Sequence, residues 1–349
     1  MSDWGRVRLG PVEASGRSLV FILGVGWWIA GMLLRFGRHG WEALAAAVWF
    51  VAGLALLTAA TRTVATRRLV FCFLIGGLTM TLSWALIRSL NATLPAGPEF
   101  IGIYLAPAIE ETLKLGPVVL LVWLRRRTEA FTLGALDLML MAAACGAGFG
   151  MVEEAHIRAS FSWPDVRFLP AVATTSVGRL IAGHAFWSAL AGLTLGTGML
   201  LRTRLRWAPA LGAFGFAWAV LDHMLTNYYS GHSGDPFLLW RIPNAVGFAG
   251  YLTPYLLGAG LLAATALEAW ILYVRAPRHP ELRLPWASLR AAERRPVARI
   301  GAAWNFLRER RRLAFADFYC RTRHGNQRRR AAGAAAASAD RLLAQTRPG

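Results

Sequence analysis

The chain has 349 residues, 56% of them hydrophobic, 15 of them tryptophan, and a formal net charge of +19. That apolar share argues against a soluble globular enzyme and for a polytopic membrane protein. Its three cysteines, Cys72, Cys145 and Cys320, form no C-x-x-C pair, which argues against a cysteine zinc site or a disulfide framework.

A window of roughly 19 residues picks out about eight apolar spans, at 18–34, 43–60, 69–87, 100–124, 130–155, 169–201, 208–229 and 244–274. The expected fold is therefore an all-α polytopic membrane helix bundle, residues 1–274, followed by a basic tail, 275–349. Span one follows Arg6, Arg8 and Arg17 and lacks a small-x-small cleavage site, so it reads as an uncleaved signal anchor. Arginines recur after every second span: Arg62, Arg67 and Arg68, then Arg125, Arg126 and Arg127, then Arg202, Arg204 and Arg206. The intervening loops hold fewer, which places both termini in the cytoplasm.

Spans one to three carry no ionisable residue. Span four carries Glu110, Glu111 and Lys114, the last being the sole lysine of the chain. Span five has Asp137, Glu153 and Glu154, span six Arg179 and His184, and span seven Asp222, His223 and Asn227. An ionisable group at mid-bilayer costs about 2.5–3.5 kcal/mol on the lenient insertion scale, so such residues face a partner or a water-filled cavity. Glu110 stands four residues before Lys114 and Glu111 three, so the lysine reaches one carboxylate while the other stays free. His223 and Asn227 are four apart, stacked on one helix face.

Counted along the spans, Glu110 lies roughly 15 Å, His184 about 20 Å and His223 about 9 Å from the outer surface. With Glu153 near the outer end of span five, all four converge on the outer half of the membrane. Asp137 reads as a capping or topological residue, with a catalytic role as the alternative, Asp222 as a supporting group, and Arg179 as a counter-charge. The run Gly146, Gly148, Gly150 lies inside a span, where small residues let helices approach closely.

Residues 275 to 349 hold 18 arginines and five acids. Such a tail suits an anionic lipid surface, and Trp304, Leu307, Phe315 and Phe318 form a stripe that an interfacial helix would use. The alanine-rich run near the end is low-complexity and expected to be disordered. No nucleic-acid motif accompanies the arginines, so none is expected as a partner.

Four segments, E-E-T-L-K at 110–114, G-F-G-M-V-E at 148–153, G-H-A-F-W-S-A-L-A-G at 183–192 and H-M-L-T-N at 223–227, resemble the ordered motifs of the PrsW family of intramembrane proteases. That family is related to the CAAX prenyl endopeptidases. The resemblance covers about residues 100–230. Glu154 departs from it, standing where the family usually has asparagine. The resemblance implies hydrolysis of peptide bonds in membrane-tethered proteins, such as anti-sigma factors, at a bacterial inner membrane. Glu110 or Glu111 would act as general base on water, with Lys114 holding the second glutamate. His184, or His223 with Asn227, would donate to the oxyanion, and Glu153 belongs to the same site. The resemblance favours a reaction without a metal, while zinc held by a glutamate and two histidines is the alternative. Buried Glu, His and Arg would also serve a proton-coupled transporter, but no matching set occupies spans one to three.

Overall fold

The computed structural model describes residues 6–9, 12–124, 129–160, 172–174, 180–202, 204–231, 250–275, 296–323 and 325–346. Strands β1 (Arg6–Leu9) and β2 (Val12–Ser15) form an antiparallel hairpin ahead of α1 (Gly16–Phe36). Next come α2 (Arg38–Leu57), α3 (Thr66–Thr93), the single turn α4 (Pro98–Phe100), a π-helical segment Ile101–Leu105, and α5 (Ala106–Leu124). A tight turn at Glu129–Thr132 leads into α6 (Ala135–Ser160), and a second small hairpin, β3 (Val172–Thr174) with β4 (Leu180–Ala182), precedes α7 (His184–Leu201). The chain continues through α8 (Ala210–Gly231) and α9 (Thr253–Ala269), which runs on π-helically over Trp270–Arg275. Last come α10 (Pro296–Thr322) and α11 (Gly325–Thr346).

Each of the expected spans contains one of these helices. Among the described residues, five segments, Arg38–Leu57, Thr66–Thr93, Ala135–Ile157, His184–Leu201 and Thr253–Tyr273, are long and apolar enough to cross a membrane by length and composition. Glu110, Glu111 and Lys114 keep α5 out of that set, and Asp222, His223 and Asn227 dilute α8. Span six differs most from expectation. Its helix begins at His184, and the described residues before it are the short strands β3 and β4.

The bundle is built around α6, 94% of whose membrane-length window is buried. It packs against α7, α3 and α2. Small residues make that possible. Gly148 lies against the Phe73 carbonyl of α3, and Gly146 against the His184 carbonyl and Ser188 side chain of α7, so neither position has room for a side chain.

The first turn of α6 is held by two carboxylates. Asp137 accepts from the backbone N–H of Thr63 (2.8 Å), Val64 (2.7 Å) and Gly134 (3.0 Å) and from the Thr63 hydroxyl (2.5 Å). Glu268 of α9 accepts from the Leu136 N–H at 2.8 Å. Both complement the positive end of the helix dipole, and Asp137 ties the α2–α3 connection to it.

Helices α10 and α11 form a hairpin that packs on the same end of the bundle. Tyr319 donates to the Leu133 carbonyl at 3.3 Å, Arg311 to the Ala59 and Arg62 carbonyls at 2.7 and 3.2 Å, and Arg323 to the Met199 carbonyl at 2.6 Å. The arginines thus meet carbonyls of the α2–α3 connection and of the last turn of α7, where intrahelical bonds run out. Phe315, from the stripe assigned to lipid, is buried against Gly134 and Tyr319 instead faces Phe131. The alanine-rich run expected to be disordered lies in α11. Alanine has the highest helix propensity, and α11 buries Ala331, Ala334 and Leu342.

Candidate active site

Five elements converge at the other end of α6. Helix α5 brings Glu110, Glu111 and Lys114, α6 brings Glu153, α7 opens with His184, α8 brings His223 and Asn227, and the π-helical segment before α5 supplies a carbonyl at Gly102. His184 is the first residue of its helix rather than a mid-span residue, so the depth count from residue 169 does not apply to it.

Lys114 is the centre of the polar cluster and is fully buried. Its ammonium lies 2.5 Å from Glu111 Oε1 and 2.6 Å from His184 Nδ1. It also sits 4.8 Å from the Phe149 ring centroid and 5.8 Å from that of Trp187. As the donor here, Lys114 makes His184 Nδ1 an acceptor. The ring proton is then on Nε2, which pairs with Glu153.

Glu111 Oε1 has a second partner, His223 Nδ1, at 3.0 Å. A carboxylate only accepts, so Nδ1 carries the proton and Nε2 presents a lone pair. That lone pair faces Glu110 Oε2 at 3.8 Å. Glu110 Oε2 is buried and has no hydrogen-bond partner among the described residues. Two acceptors therefore face each other in a buried setting without a donor between them.

His223 is also held through its ring face. Trp187 stacks on it with centroids 4.3 Å apart and planes at 19°, and His184 meets it edge-on at 4.9 Å. The Trp187 indole N–H donates to Asp222 Oδ2 at 2.8 Å. Asp222 further accepts from the Thr253 hydroxyl at 2.5 Å and the Gly250 N–H at 2.8 Å. Asp222 therefore anchors the Trp187 ring that stacks on His223.

Asn227, expected to face the reacting carbonyl, donates instead to the Gly102 carbonyl at 3.1 Å. The i→i+5 partner of this carbonyl in a π-helical turn would be Pro107, which has no N–H, and Asn227 supplies the donor from α8 instead. Arg179 lies outside the described residues. His156 packs edge-on against Phe36 and Trp84, away from the cluster. The sequence reading missed Trp187 and Phe149. Both sit within the quoted motifs, but an aromatic in an apolar span gives no signal of its own.

Glu110, His184 and His223 each offer one ligand atom, and these atoms lie within 4.8 Å of one another. One carboxylate and two imidazoles are a donor set of catalytic zinc sites. The orphaned Glu110 oxygen and the Nε2 lone pair of His223 fit such an ion. The Glu111 contact behind His223 matches the carboxylate that usually orients a metal-bound histidine. His184 would give up one of its two present partners to bind.

A family model described as PrsW family intramembrane metalloprotease matches residues 40–253, more than half of the chain. The match takes in all four motif segments and leaves α10 and α11 outside. The word metalloprotease adds weight to the zinc alternative over the metal-free expectation. No curated protein and no solved structure matches the chain.

Proposed function

The chain belongs to the PrsW family of intramembrane proteases, and from that premise we propose that Glu110, Glu153, His184 and His223 form its hydrolytic centre. The observation that carries this reading is the facing pair, Glu110 Oε2 and His223 Nε2, 3.8 Å apart and without a donor between them. A buried acceptor pair is costly unless a cation, a proton or a polarised water satisfies it.

Glu110, His184 and His223 would hold a divalent ion, with Glu111 fixing the tautomer of His223. When bound, such an ion supplies Lewis-acid polarisation of the peptide carbonyl and an acidified water. Glu153 is placed to accept a proton from the attacking water and return it to the leaving amine. Lys114 holds Glu111 and His184 in register. The N-terminus of α7, which begins at His184, turns the positive end of its dipole towards developing negative charge.

A second reading keeps Glu110 as general base without a metal. It is supported by His184, whose ring nitrogens both already have protein partners. In that case His223 must carry a second proton to donate to the oxyanion. Family membership does not favour the transporter alternative.

The substrate class is a membrane-tethered protein with its cleavage site in the outer half of the bilayer, of the anti-sigma-factor kind. The arginine-rich connections at the α10–α11 end support a reading in which that end faces the cytoplasm, and the family resemblance supports a bacterial inner membrane as the setting. The site lies about 27 Å along α6 from Ala135, near the opposite face. Reconstitution in liposomes with single-span substrates tests the reading. Wild type cleaves, and Glu110→Gln, Glu153→Gln and His223→Ala lose cleavage. Activity abolished by chelator and restored by zinc selects the metal reading, whereas chelator-insensitive cleavage selects the second. Full cleavage by all three variants overturns the site.

A further inference from the structure

At the α10–α11 end, the connection between α2 and α3 meets one face of α10. Arg308, Arg311 and Arg312 share that face with Trp304, being spaced three and four residues apart. Arg62 and Arg311 each lie 5.4 Å from the Trp304 ring centroid, so two guanidinium groups stand within cation–π range of one indole. Arg67, at the start of α3, is exposed beside them.

The negative charge at hand does not match. Both oxygens of Asp137 are used by Thr63, Val64 and Gly134. The oxygens of Glu309 go to Arg312 at 2.6 Å and Arg341 at 2.8 Å, which leaves Arg308 Nε 4.0 Å away. Arg308 Nε and Arg312 Nε are buried and have no hydrogen-bond partner among the described residues. Burial and the like charges of Arg312, Arg67 and Arg62, against the pull of Glu309, hold the Arg308 guanidinium below its ordinary range. A half-buried group of five arginines with one shared carboxylate and one fully engaged one is short of an anion.

The surroundings say which anion. Leu56 and Leu57 at the end of α2 and Val70 on α3 are 77%, 67% and 50% exposed, an apolar band next to the arginines of the kind a bilayer covers. Tyr273, 66% exposed, donates to the Ala60 carbonyl at that border, where interfacial aromatics sit. The cluster is therefore level with lipid headgroups.

We propose that Arg62, Arg67, Arg308 and Arg312, beside Trp304 and Arg311, form a binding site for the phosphate of an anionic phospholipid headgroup. Guanidinium forks match phosphate geometry, and a basic pocket at a helix-bundle border is the setting in which such headgroups are held. The site joins α10, which lies outside the family match, to the α2–α3 connection inside it. It is independent of the hydrolytic centre, so its test needs no substrate.

The full chain in neutral detergent is titrated with phosphatidylglycerol, phosphatidylcholine or sodium phosphate, read by native mass spectrometry and by the thermal midpoint. Phosphatidylglycerol is retained and raises the midpoint; phosphatidylcholine does neither. Arg67→Gln with Arg308→Gln weakens retention roughly 30-fold, at about a factor of five per arginine. Arg67→Gln alone, at an exposed position that leaves the fold intact, gives about the fivefold step. Arg328→Gln with Arg329→Gln, on the exposed face of α11, removes the same charge and leaves retention unchanged. Equal loss in both double variants would mean diffuse surface attraction and overturn the site. A midpoint raised as far by inorganic phosphate as by phosphatidylglycerol would assign the site to free phosphate and overturn the lipid.

Discussion

Trp187 lies flat on His223, ring centroids 4.3 Å apart and planes at 19°, while its indole N–H is tied to Asp222, the residue preceding His223 in the chain. Two consecutive α8 side chains thus point about 100° apart and are joined again through one α7 aromatic. One grips the indole edge and the other is covered by its face, so the imidazole cannot rotate without breaking the Trp187–Asp222 bond.

Removal of that clamp is expected to act on the orientation of His223 more than on substrate capture. Trp187→Ala should lower kcat on the order of 100-fold, with KM within about threefold, the pattern of a misplaced reacting group. Asp222→Asn keeps the shape but loses the charge-assisted acceptor and should fall between. Cleavage kinetics in liposomes measure both, and an unchanged kcat in Trp187→Ala would show that the stack does not position His223.

Lys114 carries a different kind of burden. It is fully buried and neutralises Glu111 at 2.5 Å. Lys114→Met strands a buried carboxylate and should cost about 3–5 kcal/mol of unfolding free energy. The double variant Lys114→Met with Glu111→Gln removes both charges and should recover most of that loss in denaturant unfolding. Equal instability of the single and double variants would mean that Lys114 acts through packing on Phe149 and Trp187 instead.

The sequence disclosed the cluster but not its wiring. Ionisable groups inside apolar runs are legible because the bilayer penalises them, and Glu110, Glu153, His184 and His223 do meet in space. Spacing put both Glu110 and Glu111 within reach of Lys114 without choosing between them, and it is Glu111 that the lysine meets. The contacts of Lys114 with His184 and of Glu111 with His223 span 70 and 112 residues, and no local spacing encodes them. His184 was misplaced because apolar residues preceding it extend the hydropathy signal past the start of its helix. Phe315 of the tail's stripe was misread for a related reason. That stripe specified burial without specifying against what, and the bundle end, rather than lipid, covers Phe315.

Asn227 separates two roles by magnitude. If it donated to the oxyanion, Asn227→Ala would lower kcat about 100- to 1,000-fold. Its actual partner is the Gly102 carbonyl at 3.1 Å. The expected result is therefore a loss of about 1 kcal/mol in stability and a fall in kcat of less than roughly tenfold, because the π-helical lead into α5 loosens. Parallel unfolding and cleavage measurements decide, and a hundredfold kinetic loss without destabilisation would restore the oxyanion role.

Glu111 offers the sharpest test of the metal reading, because it touches His223 Nδ1 and not the proposed ligand atoms of Glu110 or His184. A carboxylate behind a metal-bound histidine fixes its tautomer and raises its basicity, and its loss typically costs about 10–100-fold in affinity. Glu111→Gln, combined with Lys114→Met to keep the buried charge balanced, should weaken zinc binding by that amount in competition with a chromophoric chelator. Glu110→Gln, which alters a ligand itself, should weaken it further. In the metal-free reading neither variant changes zinc uptake, since no ion is held, and Glu110→Gln alone abolishes cleavage. The order of zinc affinities, wild type above the Glu111 variant and that above Glu110→Gln, follows only if the two acceptors facing each other at 3.8 Å are there to share a cation.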